Sequence, residues 1–134
     1  MFADLSPDFI DHLKGSVELQ RFAPGQIIAR QGDAAHSFYL VRIGFVKISE
    51  TYPGGELVLA YLSRGDYFGE IALLRNTPRT ASVRTLAPCL CLSLNRGHFL
   101  DLMDRVPDLR REIDQVAQTR NIALAEETIG TELV

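Results

Sequence analysis

Hydrophobic residues recur along this chain with two different periods, and the change from one to the other divides it. In residues 4–15, Phe9, Ile10 and Leu13 fall at helical spacing, Ser6 is a candidate N-cap, Pro7 takes the first helical position and Gly15 closes the segment. From residue 17 the texture becomes short β-rich runs broken by Pro24-Gly25, Gln31-Gly32-Asp33, Arg42-Ile43-Gly44, Tyr52-Pro53-Gly54-Gly55, Arg64-Gly65-Asp66 and Ala87-Pro88. Side chains two apart share a strand face. Phe45, Lys47 and Ser49 therefore oppose Val46, Ile48 and Glu50, and Leu57, Leu59 and Tyr61 oppose Val58, Ala60 and Leu62. Such regular punctuation predicts a mainly β fold with flanking helices, an antiparallel β jelly-roll barrel. One segment breaks the pattern: Ile71, Ala72, Leu73 and Leu74 favour a single helical turn directly after Gly69.

After Asn95 the period returns to helical. Phe99, Leu100 and Met103 suit one short helix, and Pro107 opens a longer one with Leu109, Ile113, Val116 and Ala117 on a common face. Arg120, Ala123 and Glu127 follow on that face, so the stripe is too short and too broken for a coiled coil. The expected organisation is an N-terminal helical segment (1–16), a β-barrel (17–96), C-terminal helices (97–127) and a tail or linker (128–134).

Composition narrows the function classes. A chain of 134 residues is one domain with room for a real core, and a net charge of −3 argues against a protein-wide grip on nucleic acid. No apolar run approaches the roughly 20 residues that span a bilayer. Met1-Phe2-Ala3-Asp4 shows no basic region before an apolar one, so no signal peptide is expected and the cytoplasm is the expected location. Cys89 and Cys91 sit two apart on a predicted strand, where a bridge would be strained, and read as buried or half-buried free thiols. His12, His36 and His98 are scattered, with no metal-ligand spacing, and no nucleophile constellation is suggested by local context. Neither a metal nor a catalytic role is expected. The charges between Asp101 and Glu112 alternate in sign and read as a solvated helix face.

The chemistry concentrates in residues 68–83. Gly69 allows close backbone approach and positive φ, and the helical turn after it presents unpartnered amides to an anion. Arg79 adds a guanidinium fork suited to phosphate oxygens. Glu70 repels phosphate, which makes sense if the ligand also carries a hydroxyl donor such as a ribose, or if Glu70 fixes Arg79. A compact anionic sugar phosphate fits all of them. Thr80 and Ser82 are two apart, so one reading, with both on a strand, has their hydroxyls pointing the same way, toward the pocket or away from it, and Ser82 reads equally as a ligand contact or as strand filler.

Phe68-Gly69-Glu70-Ile71-Ala72-Leu73, followed by Pro78-Arg79-Thr80-Ala81-Ser82-Val83, resembles the phosphate-binding cassette of cyclic-nucleotide-binding domains. The resemblance extends upstream through Phe22-Ala23-Pro24-Gly25-Gln26, Arg30-Gln31-Gly32-Asp33, Phe38-Tyr39-Leu40-Val41, Gly44-Phe45-Val46-Lys47 and Leu62-Ser63-Arg64-Gly65-Asp66-Tyr67, covering residues 5–125. It implies a ligand, cyclic AMP or cyclic GMP, and no other cofactor. The implied binding set is Gly69, Glu70, Ile71, Ala72, Arg79, Thr80, Ala81 and Ser82, with Ile48, Leu59 and Leu62 as candidate base contacts and core packing as their alternative role. It also implies a signal carried by movement of the C-terminal helix to an output domain or partner protein, with a homodimer through that helix as one arrangement. Relatives of the catabolite-activator type add a DNA-reading helix-turn-helix about where this sequence ends, so no direct DNA contact is expected of this segment. The competing expectation is a module of the same fold that has lost its ligand and serves in assembly.

Overall fold

A computed structural model describes residues 15–116 and Gln118. The strands are β1 (Val17–Phe22), β2 (Ile27–Ala29), β3 (Ser37–Ile43), β4 (Val46–Tyr52), β5 (Gly55–Leu62), β6 (Tyr67–Phe68), β7 (Ser82–Thr85) and β8 (Cys89–Asn95). Two helices interleave with them, α1 (Glu70–Arg75) and α2 (Arg96–Arg105), and residues 107–116 are helical again. The expected helix over residues 4–15 and the positions of Ala117, Arg120, Ala123 and Glu127 on the last helix lie outside the described residues.

The strands form two four-stranded sheets, ordered β1-β8-β3-β6 and β2-β7-β4-β5, with every pairing antiparallel. This is the expected jelly roll, as two facing sheets that do not close into a continuous barrel. Alternation decides what lies between them. Val41, Phe68, Cys89 and Cys91 from one sheet meet Val46, Leu62 and Val83 from the other in a single apolar cluster. Both thiols are free and buried there, and burial pushes the Cys91 thiol up to about 11, so it stays protonated at neutral pH.

A second apolar cluster lies on the outer face of the β1-β8-β3-β6 sheet. Phe38 and Leu94 on the strands meet Ala72 and Leu73 of α1, Phe99, Leu102 and Met103 of α2, and Leu109 and Ile113 of the last helical stretch. Phe38 stacks on Phe99 with ring centroids 4.9 Å apart. Phe99, Met103, Leu109 and Ile113 of the predicted stripes thus pin the helices to the sheet, while Leu100 of the same stripe is exposed and Leu102 is buried in its stead. Asp101 and Arg105 pair across one helical turn, and Asp108 pairs with Arg111, on the solvated side. Among the described residues, no helix is long and apolar enough to cross a membrane.

Asn95 fixes where sheet gives way to helix. It has extended backbone angles and its side chain accepts the His98 N–H at 2.9 Å, capping α2. Asn95→Ala is expected to lower stability by about 1 kcal/mol. A denaturant titration should show an earlier midpoint with unchanged slope.

Candidate functional site

The site begins where β6 ends. Tyr67 and Phe68 are buried and pair with Leu40 and Tyr39 of β3, and the Phe68 ring stacks on Tyr39 at 5.0 Å. The chain then leaves the sheet at Gly69, whose φ of 93° lies in the left-handed region. That conformation strains any other L-residue. Space is short as well: a Cβ there would sit 2.7 Å from Arg79 Nη1 and 2.9 Å from the Ser37 carbonyl oxygen. Only glycine satisfies both limits.

α1 follows immediately. Its first residue, Glu70, is 1% exposed, and Ala72 and Leu73 are buried in the outer-face cluster. α1 stops at Asn76, which adopts φ 53°, and the Asn76 side-chain oxygen accepts from the Arg96 guanidinium at the start of α2.

Arg79 is 8% exposed and held on several sides. Its Nη2 donates to the Ser37 carbonyl at 2.6 Å and its Nη1 to the Gly69 carbonyl at 3.2 Å. Its own N–H donates to the Asp33 carbonyl at 2.8 Å, and its carbonyl accepts the Gly32 N–H at 2.8 Å. Backbone and side chain are therefore fixed by the same 32–37 loop. A guanidinium carries five N–H donors, and two are committed to carbonyls here. Burial lowers the Arg79 pKa, while Tyr39 and Glu70 pull it back up. The ordinary arginine value is so high that the charge persists. A cleft of about 250 Å³ opens beside it, lined in part by Ile28, Ala29, Asp33, His36, Tyr39 and Arg79.

The structure thus brings Gly69, Glu70 and Arg79 together, a positive group and a positive-φ turn beside a buried carboxylate. The remaining predicted residues scatter more. Ile71 is half-buried on α1 and Ala72 is buried among the helices. Ala81 is half-buried, and Thr80 is exposed in a bend. The reading that puts Thr80 and Ser82 on one strand face does not apply, because β7 starts only at Ser82. The Ser82 hydroxyl accepts the Gln31 N–H at 2.9 Å, tying β7 to the loop that holds Arg79. Ile48 and Leu62 pack in the cluster between the sheets. Leu59 differs from both. The β4–β5 register passes from Ile48↔Ala60 to Ser49↔Val58, which makes Leu59 the extra residue of a bulge and re-aims its side chain.

Sequence reasoning missed the partners of Arg79. They are the backbone atoms of Gly32, Asp33 and Ser37, and main-chain groups leave no mark in residue identity. The Gln31-Gly32-Asp33 turn was the available signal, since it places a tight bend there.

Comparison with known proteins bears directly on this geometry. The sequence profile of the cyclic nucleotide-binding domain matches residues 19–106. A cAMP-dependent protein kinase regulatory subunit of Hypocrea atroviridis is 37% identical over 111 residues, covering 83% of this chain and 23% of that protein. The cGMP-dependent protein kinase, isozyme 1, of Drosophila melanogaster is 36% identical over 131 residues, covering 94% of this chain and 17% of that one. The chain therefore spans less than a quarter of the length of either relative. The Thermus thermophilus catabolite activator protein superposes with a TM-score of 0.79 at 31% identity, over 98% of this chain and 61% of its own. The matched profile runs from within β1 to the end of α2 and includes the Gly69–Arg79 turn, so the chain belongs to the cyclic nucleotide-binding domain family.

Proposed function

We propose that this chain is a sensory domain that binds a 3′,5′-cyclic nucleotide and signals through its C-terminal helices. The phosphate sits on Arg79 and the first amides of α1, Glu70 accepts from the ribose 2′-hydroxyl, and the base lies between strand residues and the C-terminal helix. One observation carries this reading: a buried arginine fixed by the carbonyl of a positive-φ glycine and by that of Ser37, with a buried carboxylate directly after the glycine. The same bonds hold the turn together without ligand, so what weighs against the assembly module is the cleft of about 250 Å³ that opens beside Arg79.

The signalling step is supported by packing. Ala72 and Leu73 of α1 share one apolar cluster with α2, Leu109 and Ile113. A ligand that draws on α1 therefore acts on the same cluster that seats the helices, and it shifts them by its differential affinity for the two arrangements. The output is another domain or a partner protein, and a homodimer through the C-terminal helix is one form it takes. A cytoplasmic setting belongs to the same reading and agrees with two buried free thiols.

Calorimetry on ligand-stripped protein tests the reading. Heat of binding is expected with cyclic AMP and with cyclic GMP, and hydrolysis of neither. Silence with both at high concentration would hand the function to the assembly module. Competition titrations carry the finer expectation that cyclic AMP binds at least comparably. Thr80 is exposed at the end of the cassette, so its hydroxyl is accessible to the amine of a guanine turned over the sugar. One neutral hydrogen bond nets about 1 kcal/mol, so Thr80→Ala is expected to lower cyclic-GMP affinity roughly fivefold and leave cyclic AMP unchanged. Equal losses would place Thr80 on the shared sugar phosphate instead.

A further inference from the structure

Ile43, Phe45 and Leu86 are 60%, 56% and 49% exposed, and the fold collects them at one end of the jelly roll. Ile43 closes β3 and Phe45 precedes β4, so the turn at Gly44 sets them on either side of a hairpin tip. The Leu86 N–H donates to the Phe45 carbonyl at 2.9 Å, which lays the loop after β7 against that tip. Gly44 locks the two loops together: its φ is 98°, and a Cβ there would come within 2.5 Å of the Pro88 carbonyl oxygen. The centre of the cleft is elsewhere: Arg79 is held at Ser37, and Ser37 and Ile43 bound β3. Steps of about 3.3 Å per residue put those two on the order of 20 Å apart. The near edge of the cleft, at Ile27, reaches Arg84, its partner across β2 and β7.

Charge is distributed unevenly around this tip. Arg42 is the extra residue where the β3–β8 register passes from Val41↔Cys91 to Ile43↔Leu90, and it is exposed. Arg64 is exposed in the loop whose Gly65 N–H donates to the Val41 carbonyl. Arg84 is exposed two residues before Leu86, with its Nη1 donating to the Gly25 carbonyl at 2.7 Å and its other donors uncommitted among the described residues. The nearby carboxylate, Asp66, is held in its own loop by the Ser63 N–H and offsets one of the three arginines, and Lys47 is balanced by Glu56. A chain of net charge −3 thus carries an apolar tip ringed by arginines.

We propose that this end of the domain docks on an anionic lipid surface, with Ile43, Phe45 and Leu86 entering the interface and Arg42, Arg64 and Arg84 at headgroup level. Shape and charge select this occupant. A convex tip of three apolar side chains is far smaller than the roughly 800 Å² that each partner gives to a standard protein interface. A bilayer yields around such a tip, and an anionic leaflet complements the arginines. Net negative charge opposes adsorption of the domain in any other orientation. Each cation held close to an anionic leaflet contributes about fivefold to partitioning.

The chain contains no tryptophan, so Phe45→Trp supplies a single reporter at the tip. Tyr52→Trp, at the far end of β4 from Phe45, is the control. With phosphatidylcholine vesicles containing about one-third phosphatidylserine, the anionic lipid that attracts basic segments, Phe45→Trp is expected to show blue-shifted emission and Tyr52→Trp none. Pure phosphatidylcholine is expected to shift neither. Adding Arg42→Glu to the reporter removes one cation and places an anion, so partitioning should fall about 25-fold while thermal unfolding stays unchanged. High salt should release the protein. Equal shifts in both reporters, equal partitioning on neutral and anionic vesicles, or indifference to Arg42→Glu would overturn the proposal. So would vesicles that give no shift while an acidic, leucine-rich peptide does, because the surface would then belong to a protein partner. The readout needs no nucleotide, so it stands or falls apart from the ligand reading.

Discussion

Arg79→Ala is expected to lower cyclic-nucleotide affinity on the order of a hundredfold or more. A hydrogen bond to a charged group contributes roughly 1.5–3 kcal/mol, and a guanidinium fork makes two to a phosphate. Affinity is only half of the expected result, because Arg79 also has a role without ligand. Its side chain satisfies the Ser37 and Gly69 carbonyls at 2.6 and 3.2 Å, inside a site where the arginine is almost wholly buried. Leaving buried acceptors unpaired costs about 1–3 kcal/mol each, although water entering the vacated space will recover part of it. The substitution should therefore destabilise the ligand-free domain measurably, by about 2 kcal/mol. Thermal unfolding with and without nucleotide separates the two effects. At a hundred times its dissociation constant a ligand stabilises the parent by about 2.7 kcal/mol. The variant at the same concentration should gain almost nothing. Arg79→Lys keeps the charge but loses the fork, and should fall between the two. A variant that binds like the parent would place the phosphate elsewhere on the domain.

Much of this arrangement was legible because it is written in side chains. The two-residue period of β4 and β5 put Val46 opposite Lys47 and Leu62 opposite Tyr61 without saying which face is the core, and the helical spacing of Phe99, Met103, Leu109 and Ile113 marked the apolar stripes that the structure seats on the sheet. Gly69, Glu70 and Arg79 were legible for the same reason, since each type does something no other residue does as well. What could not be read falls into two physical kinds. One is backbone chemistry: the carbonyls of Asp33, Ser37 and Gly69 that hold Arg79 carry no side-chain signature. The other is register. A bulge at Leu59 and the late start of β7 at Ser82 each move a side chain off the face that a strict two-residue period assigns, and hydrophobic pattern alone does not mark where a ladder slips.

Gly69→Ala is expected to damage the site as severely as loss of Arg79, although alanine adds only one carbon. Two penalties combine. The left-handed conformation at φ 93° costs a residue with a Cβ roughly 1–2 kcal/mol. The new Cβ would also lie 2.7 Å from Arg79 Nη1 and 2.9 Å from the Ser37 oxygen. Ser37 is poorly placed to yield, because it is paired with Asn95 across β3 and β8 and the preceding His36 carbonyl accepts the Arg96 N–H at 2.9 Å. The guanidinium is the movable partner. It is expected to swing away, giving up its bonds to Ser37 and Gly69 and its alignment on the phosphate. Affinity should then fall about as far as in Arg79→Ala, on the order of a hundredfold. The double variant decides whether that is the route. If alanine at position 69 acts by displacing Arg79, then Gly69→Ala in an Arg79→Ala background should cost no further affinity, and the two substitutions will be strongly non-additive. Additive losses would mean instead that Gly69 contributes its own contact to the ligand through the close approach of its backbone. Undiminished binding in Gly69→Ala would show that the turn between β6 and α1 rearranges freely, and that its left-handed glycine is no part of the phosphate site.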